Sequence, residues 1–297
     1  MDQNTNPIMS FCKGLGEIFQ QMFRKDQTFM ISQNDPRKTQ WELFVIVLAL
    51  YNAFSIPFEL SFDPVIMQGV NFLILNTLID IIFAFDIFIQ FRTTFYHPIT
   101  GDEIKDLKII KNNYMRGRFS IDFLSTVPFD NILYLFTQSE NQILALFSLL
   151  KIFRVNRLGR IIARLNVSED TKNSLKLFQL VFFIVMYIHC SGCAWFSIVN
   201  HDETWIAPLD IGSDDEYLYD DDILRKYFIS IYHSVLLMTG NDAFPVGDLQ
   251  VFFVVFSNTV GAIINANILG NMAVLIQDLN RKTDAFQKKL DKVNTAM

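Results

Sequence analysis

An apolar stretch from Ile143 to Leu165 carries a basic residue at every third or fourth position: Lys151, Arg154, Arg157, Arg160 and Arg164, within KIFRVNRLGRIIAR. No other feature of the chain limits its possible folds so strongly. A charge at the centre of a bilayer costs ~2.5–3.5 kcal/mol on insertion scales, and a soluble core excludes one unless it is paired. Five on one apolar helix need partners, water or a field to move in. On an α-helix this spacing spirals slowly around one side, whereas on a 3₁₀ helix the first four fall in a row. A voltage-sensing helix meets all three needs, because moving one charge through 100 mV is worth ~2.3 kcal/mol. The alternative is an amphipathic helix on the inner leaflet with its arginines on lipid phosphates. The connection before the helix has no Lys or Arg, and acids wait in other apolar stretches, so the sensor is the better reading.

The rest of the chain has the composition of a membrane protein. It has 297 residues, 51% of them hydrophobic, with 30 Phe and a mean hydropathy of +0.26. The apolar residues come in runs of about 20, enough to cross a ~30 Å hydrocarbon core. The expected spans are Trp41–Leu60, Asn71–Phe91, Phe119–Phe136, Ile143–Leu165, Ser174–Val199 and Leu249–Leu279. A further apolar stretch, Ile223–Met238, is 16 residues long and ends at Thr239-Gly240. That length suits a re-entrant helix better than a span. The fold class expected is an all-α membrane protein with six transmembrane helices and one re-entrant helix. The start, MDQNTNPIMS, lacks the basic and apolar regions of a signal peptide, so insertion is expected to rely on the first span. Cys12, Cys190 and Cys193 form no disulfide framework.

Charge sets the topology. Five Lys/Arg precede residue 41, six lie between Arg92 and Arg118, seven between Lys151 and Lys176, and five follow Leu279. The connections between spans one and two, and between three and four, have none. Six spans with both termini in the cytoplasm put every basic segment inside. The stretch His201–Asp222 then faces outside with nine acidic residues. It is either a plain solvated loop or a negative vestibule that concentrates cations at a pore mouth.

Partners for the basic ladder are visible. Asp80, Phe83 and Asp86 stand at i, i+3 and i+6 in the second span, one slanted stripe. Asp122 stands near the cytoplasmic end of the third. Carboxylates at that depth are expected to pair with a basic helix.

The segment after span five reads as a pore loop. A half-span helix entering from outside directs its partly negative C-terminal end at the membrane centre, where it favours cations. The chain that follows, Thr239-Gly240-Asn241-Asp242, can offer ligands only if it lines water. One loop per chain implies several subunits. Asp242 is either a ring charge or an ordinary turn residue. Asn258, Gly261 and Asn265 share one face of span six and are candidates for pore lining and gate. Asn267, Gly270 and Asn271 share roughly the opposite face, where they meet either a gate or neighbouring helices. His189 and Cys193, at i and i+4, have no further ligands nearby and read as a packed pair rather than a metal site. No nucleophile elbow, P-loop or HExxH sequence is present. No enzyme, catalytic residue, metal, cofactor or nucleic-acid partner is expected.

Several segments together resemble the cyclic-nucleotide-gated, hyperpolarisation-activated and ether-à-go-go branch of the voltage-gated-like channels. They are NDPRKTQWELFVIVLALYNAFSIPFELSF, IDIIFAFDIFIQFRTTFY, GDEIKDLKIIKNNYMRGRFSIDFLSTVPFD, HCSGCAW, YFISIYHSVLLMTG and ILGNMAVLIQDLNRK. By resemblance, Phe83, Asp86 and Asp122 match the site that the arginines pass, and the tail after Leu279 looks like the start of a linker helix to a cyclic-nucleotide-binding domain. The sequence stops at Met297, before such a domain, so this stretch offers no ground for nucleotide gating. The filter also departs from the branch. Met238-Thr239-Gly240-Asn241-Asp242 is about two residues short and lacks the second filter glycine, so the TVGYG carbonyl stack of a potassium filter cannot be written onto it. The expected division is a cytoplasmic segment (1–40), a voltage-sensor-like domain (41–165), a pore domain (166–279) and the start of a linker helix (280–297). The expected function is one subunit of a tetrameric cation channel, homomeric or heteromeric. It would be non-selective or calcium-permeable, passing Na, K or Ca, in a plasma or ciliary membrane. The alternative is a non-conducting structural subunit that keeps the channel fold within a larger membrane complex.

Overall fold

The computed structural model describes residues 30–97, 99–127, 147–155, 158, 169–202, 205 and 222–296. The elements are α1 (Pro36–Phe62), α2 (Val70–Gln90), the strands β1 (Phe95–Tyr96) and β2 (Glu103–Ile104), α3 (Leu107–Gly117), α4 (Phe119–Thr126), a 3₁₀ helix (Phe147–Val155), α5 (Glu169–Asp202), α6 (Ile223–Met238) and α7 (Asp248–Ala296). The fold is all-α apart from the small hairpin. Among the described residues, Pro36–Phe62, Val70–Gln90, Ser174–Asn200 and Asp248–Val274 are long and apolar enough to cross a membrane. They fall on the expected first, second, fifth and sixth spans. The third and fourth expected spans are described only in part, and Arg157, Arg160 and Arg164 lie outside the described residues.

The chain divides into two compact units, Met1–Ile56 with Val65–Leu158, and Pro57–Pro64 with Gly159–Met297. The division inside α1 falls at Pro57, where the helix loses a backbone donor.

In the first unit, α1 begins at Pro36 rather than at Trp41, for a local reason. Asp35 caps the helix: its Oδ1 accepts from Arg37 N at 2.9 Å, and its carbonyl accepts from Thr39 N at 3.1 Å. Proline at the first helical position sacrifices no hydrogen bond. Trp41, Val45 and Ala49 then recur every four residues and pack with Ile79, Phe83 and Ile89 of α2. Those spacings put one stripe of each helix at the contact and leave the other faces apolar and exposed, including Leu73, Ile74 and Leu78, as lipid contact requires.

The hairpin pairs Phe95 with Ile104 and Tyr96 with Glu103. Ile31, just before α1, bridges Thr93 in parallel. Ile31 N donates to Arg92 O at 3.0 Å, and Thr94 N donates to Ile31 O at 2.9 Å. One carboxylate gathers this clasp: Glu103 Oε1 accepts from Ser32 Oγ at 2.7 Å and from Thr94 Oγ1 at 2.6 Å. Lys105 Nζ lies 3.2 Å from Glu103 Oε2. Hydrogen bonds from Thr94 and Ser32, joined by Lys105, hold the Glu103 carboxyl at about 2, well below its usual 4.5.

In the second unit, α6 is wedged against α5 and α7 at two glycines. A Cβ at Gly192 of α5 would meet Ser230 O at 3.1 Å, and one at Gly261 of α7 would meet Met238 O at 2.7 Å. Small residues permit such backbone contact in membranes. Trp195, Phe196, Val199, Trp205, Ile229, Leu237, Ala243 and Val254 form the core. The end of α1 joins it: Phe62 stacks on Phe196 at 4.4 Å, and Ser197 Oγ donates to Ser61 Oγ at 3.0 Å. The helix α7 runs 49 residues without interruption, so residues 280–296 continue the helix that holds the sixth expected span.

Candidate functional site

Two constellations stand out, one in each unit. The first surrounds Arg154. The ladder is 3₁₀ where it is described, so Lys151 and Arg154 fall on one side of the helix. Both reach the same carboxylate. Lys151 Nζ lies 3.1 Å from Asp80 Oδ2, and Arg154 Nη2 lies 2.8 Å from Asp80 Oδ1. Arg154 Nε donates to Ser125 O of α4 at 2.7 Å, and its guanidinium sits 4.1 Å from the Phe83 ring centroid. Arg154 is 1% exposed and Phe83 fully buried. A guanidinium at that depth is tolerable because a carboxylate, a carbonyl and an aromatic face replace its water.

Asp86 and Asp122 are buried as well, and each is oriented by a neutral donor. Trp41 Nε1 donates to Asp86 Oδ1 at 2.8 Å, and Tyr114 Oη donates to Asp122 Oδ2 at 2.9 Å. The expected stripe Asp80–Phe83–Asp86 therefore lies on one side of α2, with Asp80 at Lys151 and Arg154, Phe83 beneath Arg154, and Asp86 facing α1. Trp41, Tyr114 and the Ser125 carbonyl were not among the residues expected. The signal that would have found Trp41 is its place in the i, i+4 stripe of α1. The other two come from long-range packing.

The second constellation is the end of α6 and the segment after it. Asn241 N donates to Leu236 O at 2.8 Å and Gly240 N to Leu237 O at 3.1 Å. Gly240 has φ +81°. These are the two bonds and the left-handed residue of a Schellman cap. Thr239 Oγ1 adds a bond to Val235 O at 3.0 Å, and Asn265 Nδ2 donates to Met238 O at 3.0 Å. The last four carbonyls of the helix are therefore satisfied by the chain itself. Beyond the cap, Asn241 Nδ2 donates to Thr239 Oγ1 at 2.7 Å, and Asp242 Oδ1 accepts from Phe244 N at 2.9 Å. Thr239, Gly240, Asn241 and Asp242 are all exposed in the isolated chain.

Gly261 and Asn265 face this cap. Gly261 is buried against Met238, and Asn265 supplies the bond just given. Asn258, one turn earlier, has a buried Oδ1 without a hydrogen bond among the described residues. Asn267 and Asn271 donate back to Ile263 O and Asn267 O at 2.9 and 2.8 Å. His189 Nδ1 and Tyr227 Oη lie 2.9 Å apart, with Cys193 Sγ 3.8 Å from the same ring, so the two residues pack together. No cluster of three His, Cys, Asp or Glu suited to a metal occurs among the described residues.

Comparison with known proteins places this geometry in context. The family model described as "Ion transport protein" matches residues 38–284. The chain is 31% identical over 281 residues to the human voltage-gated delayed rectifier potassium channel KCNH5, covering 86% of this chain and 28% of that protein. It is 28% identical over 282 residues to the potassium voltage-gated channel protein eag of Drosophila melanogaster, covering 88% of this chain and 24% of that protein. It is 29% identical over 277 residues to the potassium channel KAT1 of Oryza sativa subsp. japonica, covering 90% of this chain and 37% of that protein. The chain therefore spans well under half the length of these relatives.

Proposed function

The chain belongs to the ion transport protein family of integral membrane channels, and from that premise we propose that it is one subunit of a tetrameric, voltage-gated-like cation channel that is non-selective or calcium-permeable. The observation that carries the selectivity is the cap on α6. A potassium filter needs successive backbone carbonyls around an ion. In this chain Thr239, Gly240 and Asn241 fold back onto the end of α6 as its cap instead of running on as an extended strand, and Asn241 and Asp242 are exposed. Four copies around an axis would form a polar ring with an acidic ring beside it. That constriction attracts cations and discriminates poorly among them. The relatives named above are potassium channels, and the loop is where this chain departs from the branch.

Lys151, Arg154, Arg157, Arg160 and Arg164 are the gating charges in this reading, and Asp80, Phe83, Asp86 and Asp122 are the groups they pass. The 3₁₀ geometry supports it, because a step of three residues, ~6 Å along such a helix, replaces Arg154 by the next arginine at the same partners. Thr239, Gly240, Asn241 and Asp242 form the constriction, and Gly261 and Asn265 hold it by gripping the end of α6. The permeant partners are Na, K or Ca, the assembly is homomeric or heteromeric, and both termini lie in the cytoplasm of a plasma or ciliary membrane. Expression of the single chain with voltage-clamp recording tests the proposal. A voltage-dependent cation current, with divalent block weakened by Asp242→Asn, supports it. No current over a wide voltage range, with the protein confirmed in the membrane, refutes the homomeric version.

A second reading is a non-conducting structural subunit with a channel fold. The same loop favours it, since Thr239–Asn241 are folded back onto the helix end. The stoichiometry of the isolated particle separates the two: a four-fold ring favours the channel, and one copy beside unrelated subunits favours the structural role.

A further inference from the structure

Trp205 belongs to the acidic stretch His201–Asp222, yet its side chain is only 1% exposed. The indole N–H points at two backbone carbonyls beyond the cap, Ala243 O at 3.2 Å and Phe244 O at 3.1 Å. The ring stands edge-on to Trp195 of α5 at 5.3 Å and to His233 of α6 at 5.0 Å. The segment it holds is in an unusual conformation, for Phe244 has φ +51°, a region that L-residues with side chains rarely occupy. Such a conformation persists only when its surroundings over-determine it. Here the Asp242 carboxylate bonds Phe244 N on one side. On the other, the buried Gln250 bonds Val246 N at 3.0 Å. Trp205 supplies the donor between them.

We propose that Trp205 is the positioning residue of the pore loop. Its indole N–H keeps the Ala243 and Phe244 carbonyls turned into the protein and so fixes the direction in which Asn241 and Asp242 face. The proposal rests on the channel reading for its effect on permeation, but its structural part does not. Buried carbonyls need donors, and without this one the carbonyl of the fully buried Ala243 must rotate to find water and carry Phe244 with it. Asp242 moves with them, because it is bonded to the amide of the same Phe244. This bond gives Trp205 a consequence that ring packing alone would not have.

The test uses the full chain in lipid nanodiscs and compares Trp205→Phe, which keeps a ring and removes the N–H, with Trp205→His, which restores a ring donor. In Trp205→Phe, amide exchange in a peptide covering residues 241–250 should quicken by about tenfold, the effect of losing roughly one buried hydrogen bond. Exchange in α1 should not change, and Trp205→His should recover part of the protection. In recordings, Trp205→Phe should weaken divalent block several-fold, leave the midpoint of voltage activation in place, and make Asp242→Asn nearly silent when the two are combined. Unchanged exchange in Trp205→Phe overturns the proposal. Faster exchange with unchanged block overturns its permeation part. If the parent chain carries no current, the homomeric channel reading fails while the exchange comparison still decides the role of Trp205.

Discussion

Replacing Gly261 by alanine should separate the end of α6 from α7, and the structure sets the size of the effect. A Cβ at Gly261 would stand 2.7 Å from Met238 O, 2.8 Å from Met238 Cα and 3.1 Å from Met238 C. Ordinary contact begins at 3.4 Å, so the helices must part by about 0.7 Å. All three obstacles are backbone atoms, and no side chain can swing away. Overpacking of this kind costs ~1–3 kcal/mol. The bond from Asn265 to Met238 O, 3.0 Å long, lengthens with the separation and adds ~0.5–1.5 kcal/mol. Gly270 lies in the same helix with nothing within 4 Å of an added Cβ. There, alanine should stabilise by up to ~1 kcal/mol through helix propensity. Thermal unfolding of the purified assembly, followed by size-exclusion fluorescence, compares the two variants directly. Gly261→Ala should melt several degrees lower and Gly270→Ala at or above the parent temperature. Equal melting temperatures for Gly261→Ala and the parent would refute the claim that the end of the pore helix is held by direct backbone contact.

Three further predictions follow from other parts of the structure. Asp80→Asn leaves Lys151 and the buried Arg154 without their shared carboxylate, and breaking such a pair costs ~3–5 kcal/mol. Folded yield should fall sharply, and Lys151→Met added to Asp80→Asn should recover part of it. His233→Phe should raise the melting temperature, because neither ring nitrogen of this buried residue has a hydrogen-bond partner among the described residues. Removing such groups within aromatic surroundings avoids a penalty of ~1–3 kcal/mol. The clasp at Glu103 should be insensitive to pH near neutrality. Its carboxyl is held at about 2 against the usual 4.5, so its stabilising contribution is complete above the usual value and is lost as pH falls toward 2. Protection of the Ile31 and Thr94 amides, taken relative to their intrinsic exchange rates at each pH, should accordingly fall in acid, and in Glu103→Gln at neutral pH.

The spans and the re-entrant helix were legible in the sequence because length and apolarity alone dictate them in a bilayer. The stretch Ile223–Met238 forms α6 with the bounds its composition implied. Over the described part of the ladder, Lys151 and Arg154 lie three apart in a 3₁₀ helix and share Asp80. What was not legible depends on contacts between distant residues. The i, i+4 stripe of α1 marks Trp41 as a contact residue, but its role as donor to Asp86, 45 positions away, is set by the packing of the two helices. Trp205 lies among acidic neighbours that read as solvated, and only the fold reveals that it is buried. Gly240 was read as a filter glycine, and its left-handed φ in a helix cap is a backbone property that residue identity leaves open. The shared face of Gly261 and Asn265 is legible in the sequence, whereas their contacts with Met238 at the end of α6 come from the packing of α7 on α6.

The channel we propose has a constriction built from side chains rather than from a ladder of carbonyls. The bi-ionic reversal potential of the purified chain in planar bilayers, with potassium on one side and sodium on the other, tests it most directly. The reversal should lie close to zero, and calcium should move it in a way that Asp242→Asn abolishes. A reversal far from zero, in the direction of strong potassium selectivity, would contradict it.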